Sequence, residues 1–147
     1  MKCLYILFIV LFSCSACGKR SLENHAEKTA IAFSEAFYNL DYGAAKKLVT
    51  PSSLLYLRFL ASNTSQELLD EVQKKGAVDV SIVDAQVEGD NQAIVICLVK
   101  NYLETDYLTR HSTIGAEKKD TLHLVKEGNE WLVKMDIPQQ SGKQNHD

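Results

Sequence analysis

Along residues 21–40 the apolar positions Leu22, Ala26, Ala30, Phe33, Phe37 and Leu40 recur at steps of four, four, three, four and three, which places them on one face of an amphipathic helix. Ser21 is its expected N-cap. Asn39-Leu40-Asp41-Tyr42-Gly43 interrupts the pattern, and Asp41 is placed to cap a short second helix through Val49. Thr50-Pro51 reads as an N-cap with proline at the first helical position, so a third helix is expected from there through Leu60. Asn63-Thr64-Ser65 breaks it, and Thr64 with Glu67 forms a capping box for a last helical piece ending before Gly76.

After Gly76 the period changes from helical to two. Val78, Val80 and Ile82 alternate with Asp79 and Ser81, as in a half-buried strand. Ala85 and Val87 have the opposite parity, so a β-bulge is expected near Val83-Asp84. Glu88-Gly89-Asp90-Asn91 reads as a hairpin turn. Gln92 to Glu104 carries apolar residues on both faces, which predicts a central strand. A polar connection, Thr105 to Ala116, is expected before a third strand from Glu117 to Lys126; Glu127-Gly128-Asn129 then turns into a fourth, Trp131 to Asp136. Pro138 ends it, and residues 139–147 are polar enough for a tail. Helices first and an antiparallel meander after them predict an α+β domain, with the helices packed on a curved sheet.

The apolar run Leu4–Phe12 fits neither period. Preceded by Met1-Lys2 and followed by the small residues Ser13, Ser15 and Ala16, it has the layout of a secretory signal, and it is shorter than the ~20 residues that span a bilayer. Leu11-Phe12-Ser13-Cys14-Ser15 resembles the lipobox of bacterial lipoproteins, although Phe12 is larger than the usual residue there. The resemblance implies cleavage before Cys14 and a diacylglyceryl thioether on its sulfur, often joined by an amide-linked acyl chain such as palmitate. Each buried methylene of such a chain adds about 0.8 kcal/mol of membrane affinity. The overlapping frame Cys14-Ser15-Ala16-Cys17 makes Cys17 the alternative, with a Cys in the usual Leu position. Residues 1–13 are then a leader, 14–23 a lipidated tether, 24–137 the folded domain and 138–147 the tail. Ser15 suits outer-membrane retention by the enterobacterial-type sorting rule, and Lys19-Arg20 suits a periplasmic-facing attachment near anionic headgroups.

Composition narrows the partners. The chain has 147 residues, 46% hydrophobic and 24% charged, which fits one globular domain. The net charge is −3, and no basic stripe with interleaved aromatics occurs, so nucleic acid is not an expected partner. Of the four cysteines, Cys3, Cys14 and Cys17 crowd the N-terminus, while Cys97 lies in Ile94-Val95-Ile96-Cys97-Leu98-Val99 and is expected to pack as a small hydrophobe.

The run Ala26 to Val49, with Phe33-Ser34-Glu35-Ala36-Phe37-Tyr38-Asn39-Leu40-Asp41-Tyr42-Gly43-Ala44-Ala45-Lys46-Lys47-Leu48 within it, is similar to the opening helices of the nuclear transport factor 2-like (cystatin-like) superfamily. Leu122-His123-Leu124-Val125-Lys126-Glu127-Gly128-Asn129-Glu130-Trp131-Leu132-Val133 is similar to its closing hairpin. Between them the resemblance covers about residues 24 to 136, and it extends to small exported lipoproteins whose domain has no assigned function. It implies a cone-shaped pocket between helices and sheet, and homodimers formed through the sheet face. Among its enzymes, such as ketosteroid isomerases, an Asp base and a Tyr or Asp oxyanion donor lie inside the pocket.

No residue here matches that catalytic pattern position by position. Tyr38, Tyr42, Tyr56, Arg58, Tyr102, Tyr107 and His123 are the candidate pocket walls; Asp79, Asp84 and Asp120 are expected to point outward, and His123 to sit on the outer sheet face if Leu122 and Leu124 face the helices. Trp131 is expected in the core. His25, His111, His123 and His146 are scattered, and neither a metal site nor a cofactor is signalled. The expectation is a lipid-anchored envelope module that binds a small hydrophobic ligand or an envelope protein without catalysis. The alternative is a small acid/base enzyme, isomerase- or dehydratase-like, working on a hydrophobic substrate in the cone. A convergent buried carboxylate with a Tyr or His partner would favour the enzyme, and an exposed apolar sheet face the module.

Overall fold

A computed structural model describes residues 15–106 and 111–135, with the backbone alone for 15–19, 105–106 and 111. The leader, Cys14, Tyr107 and the tail lie outside the described residues. Helix α1 spans Ser15–Tyr38, α2 Tyr42–Ala45, α3 Leu54–Ser62 and α4 Gln66–Lys75; strands β1 Asp79–Glu88, β2 Gln92–Asp106, β3 His111–Glu127 and β4 Glu130–Lys134 follow. The strands form one antiparallel sheet in the order β1-β2-β3-β4. This is the expected α+β class, helices packed on a curved antiparallel sheet.

Helix α1 lies on the sheet by the face its apolar spacing marked. Ala26 and Ala30 are fully buried and, having no bulk beyond Cβ, let the helix approach closely; Phe33 and Phe37, stacked at 5.4 Å, fill the space toward its C-terminal end. The backbone is already helical at Ser15, so Ser21 is an interior residue rather than an N-cap, and the described part of the tether continues α1. At the other end Asp41 N–H donates to Ala36 O (2.8 Å) and Leu40 N–H to Phe37 O (3.1 Å), a Schellman closure. Leu40 holds φ +59° there, a conformation that costs a non-glycine residue about 1 kcal/mol.

Asp41 caps α2 through Ala44 N–H (2.9 Å), but the helix stops at Ala45 instead of reaching Val49. The reason is a competing partner: Val49 bridges Val133 of β4, with Val133 N–H on Leu48 O (2.7 Å) and Thr50 N–H on Val133 O (3.0 Å). Thr50 does not cap a backbone N–H. Its hydroxyl meets those of Ser52 (2.9 Å) and Ser53 (2.8 Å), and Ser53 Oγ accepts Met135 N–H (2.9 Å). Pro51–Ser53 is consequently a 3-10 turn before α3. The cap of α4 is Ser65, accepting from Leu68 N–H, while Thr64 donates its hydroxyl back to Leu60 O (2.9 Å); the expected Thr64–Glu67 box is one residue out of register.

The β-bulge falls where the change of parity put it. Ile82 pairs with Cys97 and Asp84 with Ile96, leaving Val83 as the extra, exposed residue. Both Val80 and Ile82 before it and Ala85 and Val87 after it thereby pack on the helix side. The polar stretch Thr105 to Ala116 is not a loop in its described part. Strands β2 and β3 stay paired out to Asp106 opposite His111, so the two form a long arm. Asn101, at φ +55°, breaks β2 within it and donates through Nδ2 to Lys75 O (3.1 Å) and Ala77 O (3.0 Å), fixing the link from α4 to β1.

The inner face of the sheet carries Ala93, Val95, Cys97 and Val99 on β2, Leu122 and Leu124 on β3, and Trp131 and Val133 on β4, all buried. Cys97 and Trp131 are core residues, as expected. Ile94, Ile96 and Leu98 alternate with the β2 set and are half-buried on the outer face. On α3, Leu57 and Leu60 are buried, whereas Leu55 and Phe59 are exposed.

Candidate functional site: the Tyr38–Asp120 cleft

Tyr38 is the last residue of α1, and its phenol reaches over the sheet to β3, where the hydroxyl donates to Asp120 Oδ2 at 2.7 Å. Asp120 does not point outward. It has the parity of Leu122 and Leu124, so a strand that buries those leucines must turn Asp120 to the same side. Asp79 and Asp84 are exposed, as expected.

Tyr102 meets Tyr38 edge-on at 6.0 Å, and the Lys118 ammonium lies 4.9 Å from the Tyr38 ring centroid and 5.3 Å from that of Tyr102. The Tyr102 ring occupies the space above Gly115, its cross-strand partner; a Cβ there would stand 2.6 Å from the Tyr102 hydroxyl oxygen. Gly115 is therefore what allows Tyr102 to lie down across β3 and face Tyr38.

Beside Asp120 is a cleft of about 220 Å³, walled by Phe33, Phe37, Leu122, Val133 and Met135, with Tyr38, Asp120, Thr121, His123 and Lys134 as its polar lining. Drug-sized ligands occupy roughly 300–1,000 Å³, so this cleft is sized for a small molecule. Burial, and then the adjacent Asp120 carboxylate, hold the Tyr38 phenol above its ordinary pKa, so it stays protonated and stays a donor. Burial also raises the pKa of the Cys97 thiol, against a lowering contribution from the Ser34 hydroxyl, and Asp120 raises it further. Fully buried, Cys97 presents no thiolate nucleophile to the surface.

Of the sequence candidates, the structure brings Tyr38 and Tyr102 together. Tyr42 packs edge-on to Phe37 at 6.1 Å, behind the cleft wall. Tyr56 and Arg58 are not walls: they ride on α3, whose buried face is set by Leu57 and Leu60, and Arg58 is exposed. His123 is exposed on the outer face, as the parity of the two leucines requires, and borders the cleft only at its rim. Lys118 is the residue that sequence reading missed, and Asp120 the one it turned to the wrong face; their shared parity with Leu122 was the available signal. Among the described residues no three His, Cys, Asp or Glu side chains gather as a metal site, and no helix is long and apolar enough to cross a membrane.

Helices first, then an antiparallel meander that closes on a tryptophan hairpin, with a cleft between α1 and the sheet, is the α+β layout that the sequence pattern predicts. No protein-family profile matches the chain, and no curated protein does. Among solved structures, a crystal structure of a Campylobacter jejuni protein described as an NTF2-like transpeptidase matches at 17% identity and a TM-score of 0.48, over 75% of this chain and 97% of that chain. The likeness concerns the path of the chain, and no residue role is carried across from it.

Proposed function

We propose that this chain is a lipoprotein of the bacterial cell envelope whose domain is a binding module, holding a small ligand with an apolar body in the Tyr38–Asp120 cleft. The observation behind the binding role is the cleft itself: apolar walls beside a polar side that includes the Tyr38–Asp120 pair, where Asp120 has one oxygen engaged by Tyr38 and the other free of any hydrogen bond from a described residue. The anchor is a lipid on Cys14, with Cys17 the alternative, and the attachment is to the outer membrane on its periplasmic side; support comes from the leader and the lipobox-like run. The half-buried stripe Ile94, Ile96 and Leu98 on the outer face supports an envelope protein or a second copy of the chain as a further partner.

Two experiments test this. The full chain, expressed in a lipoprotein-processing host, is expected to enter the detergent phase on phase separation, and Cys14→Ser to leave it there no longer; loss with Cys17→Ser alone moves the anchor to Cys17, and loss with neither removes it. A fragment screen by thermal shift on the full chain in maltoside micelles is expected to yield ligands whose effect disappears in a Phe37→Ala variant. A screen without such ligands refutes the cleft as a binding site.

The same Tyr–Asp contact favours a second reading, an acid/base enzyme in which Asp120 takes a proton from a hydrophobic substrate. It differs from the first in one result: a bound ligand exchanging a carbon-bound hydrogen with D2O in wild type but not in Asp120→Asn.

A further inference from the structure

Strand β4 pairs with β3 only from His123 to Glu127, and among the described residues no strand pairs with that edge of β3 before His123. Two sets of contacts fix which way the backbone groups point there. Lys126 N–H donates to Asn91 O (2.8 Å), toward β2, so the alternation of an antiparallel strand turns the N–H and C=O of Thr121 and Lys119 outward, to the open edge. On β4, Val133 N–H donates to Leu48 O (2.7 Å) and, just beyond it, Met135 N–H to Ser53 Oγ (2.9 Å), both away from β3, so the even-numbered positions face β3. The register of His123 opposite Lys134, carried two residues on, puts position 136 opposite Thr121 with their backbone groups facing. It puts position 137 opposite Asp120, on the side where Trp131 and Val133 are buried. The cleft lies at that place, lined by Asp120, Leu122, Val133 and Met135. An open strand edge beside an apolar hollow is what an added strand covers, through its backbone and every second side chain.

We propose that this edge and cleft take the chain's own next segment, Asp136-Ile137-Pro138, which lies outside the described residues: Asp136 pairs with Thr121, and the Ile137 side chain enters the cleft against Phe33, Phe37 and Leu122. Connectivity favours this occupant. The segment is joined to Met135, itself part of the cleft wall, so it meets the edge at a far higher effective concentration than a free peptide. Charge favours it too, since Asp136 falls on the outer face with the exposed Lys119 and His123 as diagonal neighbours. Pro138, opposite Lys119 and without an N–H, ends the ladder. The docked segment competes with the ligand. Ile137 covers the apolar walls but gives the second oxygen of Asp120 no donor, so a ligand that brings one holds an interaction the segment lacks and displaces it. The docking stands by itself; the competition rests on the cleft-binding role above.

The test uses the full chain in maltoside micelles, wild type and Ile137→Ser, and reads amide hydrogen exchange by NMR. With Asp136 docked, Thr121 N–H has a carbonyl acceptor, so its exchange is expected to be at least tenfold slower in wild type than in Ile137→Ser. Leu124 N–H, turned toward β2, should stay protected in both and reports that the variant is folded. In wild type the Ile137 methyls should also show nuclear Overhauser contacts to the Phe33 and Phe37 rings. Equal Thr121 exchange in the two chains, or methyls without those contacts, overturns the docking. The competition is read with 3-methyl-1-butanol, a branched apolar body with one hydroxyl donor. Half-maximal shifts of the Tyr38 and Leu122 amides should need at least tenfold less of it in Ile137→Ser. An equal midpoint in both chains, or no response in either, overturns the competition; the docking is still decided by exchange, and the cleft-binding role by the fragment screen.

Discussion

Replacing Gly115 by alanine tests whether Tyr102 is held in place by the absence of a side chain beneath it. The new Cβ would stand 2.6 Å from the Tyr102 hydroxyl oxygen and overlap the ring carbons, so the ring must rise by about 1 Å to reach van der Waals distance. Tyr102 is 8% exposed, and lifting it weakens two contacts: the edge-on pairing with Tyr38, in a class worth about 0.5–1.5 kcal/mol, and the Lys118 cation–π contact, about 0.5–1 kcal/mol. Exposing part of the ring adds roughly 1 kcal/mol at about 25 cal/mol per Å². Against these, alanine is better than glycine in a strand by about 0.5–1 kcal/mol. The net loss is about 2 kcal/mol, which lowers Tm by roughly 8 °C for a domain of this size. Urea and thermal denaturation measure it, and a double-mutant cycle isolates the cause. In a Tyr102→Ala background the ring is gone, so Gly115→Ala should cost nothing or stabilise by up to about 1 kcal/mol. An equal cost in both backgrounds refutes the reasoning, since the strain would then lie in the backbone of β3.

Tyr38→Phe removes the donor to Asp120 and should cost about 1.5 kcal/mol, the low end for a hydrogen bond to a charged group, because half-buried Asp120 recovers some hydration. The raised phenol pKa has its own signature. Below the unfolded value near 10 both states hold the proton and the stabilisation is complete; above it the unfolded state loses the proton first, and stability falls by about 1.4 kcal/mol per pH unit. Urea midpoints between pH 9 and 11.5 should show this fall in wild type and a shallower one in Tyr38→Phe; the raised Cys97 thiol acts in the same direction and remains in the variant. An unchanged slope excludes Tyr38 as the titrating group. Asn101→Gly should cost about 1 kcal/mol for the lost contacts to Lys75 O and Ala77 O, and Asn101→Ala about 2 kcal/mol because alanine also resists φ +55°; equal losses in chemical denaturation would contradict that ordering.

Where burial imposes a period, the sequence carried the fold. The steps of Ala26, Ala30, Phe33 and Phe37 marked the buried side of α1, and the shift from Val80 and Ile82 to Ala85 and Val87 located the bulge at Val83. Where tertiary partners compete with local signals, it did not. Val49 leaves the helical pattern for Val133, and Thr50 and Thr64 spend their hydroxyls on Ser53 and Leu60 instead of on caps. The described part of the arm from Thr105 to Ala116 is paired strand with little apolar alternation, so its pattern resembled a loop. Within the site Tyr38 and Tyr102 were legible as aromatic candidates. Asp120 was assigned to the wrong face although Leu122, two residues on, shares its parity, and Tyr56 and Arg58 drew attention by residue type while Leu57 and Leu60 set the buried face of α3.

The continuity of α1 bears on how the cleft is presented. A tether of free coil would let the domain turn in any direction relative to its anchor, but Ser15 and Tyr38 belong to one helix of 24 residues, about 36 Å long at 1.5 Å per residue. Tyr38, the residue that organises the cleft, is thus at the opposite end of the helix from Ser15, which follows the proposed lipidated cysteine. The domain also grips this helix from Leu22 onward, so bending between anchor and cleft is confined to the turns before it. With a lipid on Cys14 and the helix upright, the cleft opens about one bilayer-core thickness away from the headgroups, toward molecules in solution and away from the acyl chains. That placement fits a polar-headed, water-borne ligand better than a lipid. Two glycines inserted between Arg20 and Ser21 would free the domain from this geometry without touching its core. If presentation at a distance matters, function in the envelope should fall while ligand affinity in micelles stays the same; if both are unchanged, the rigid arm has no role in function.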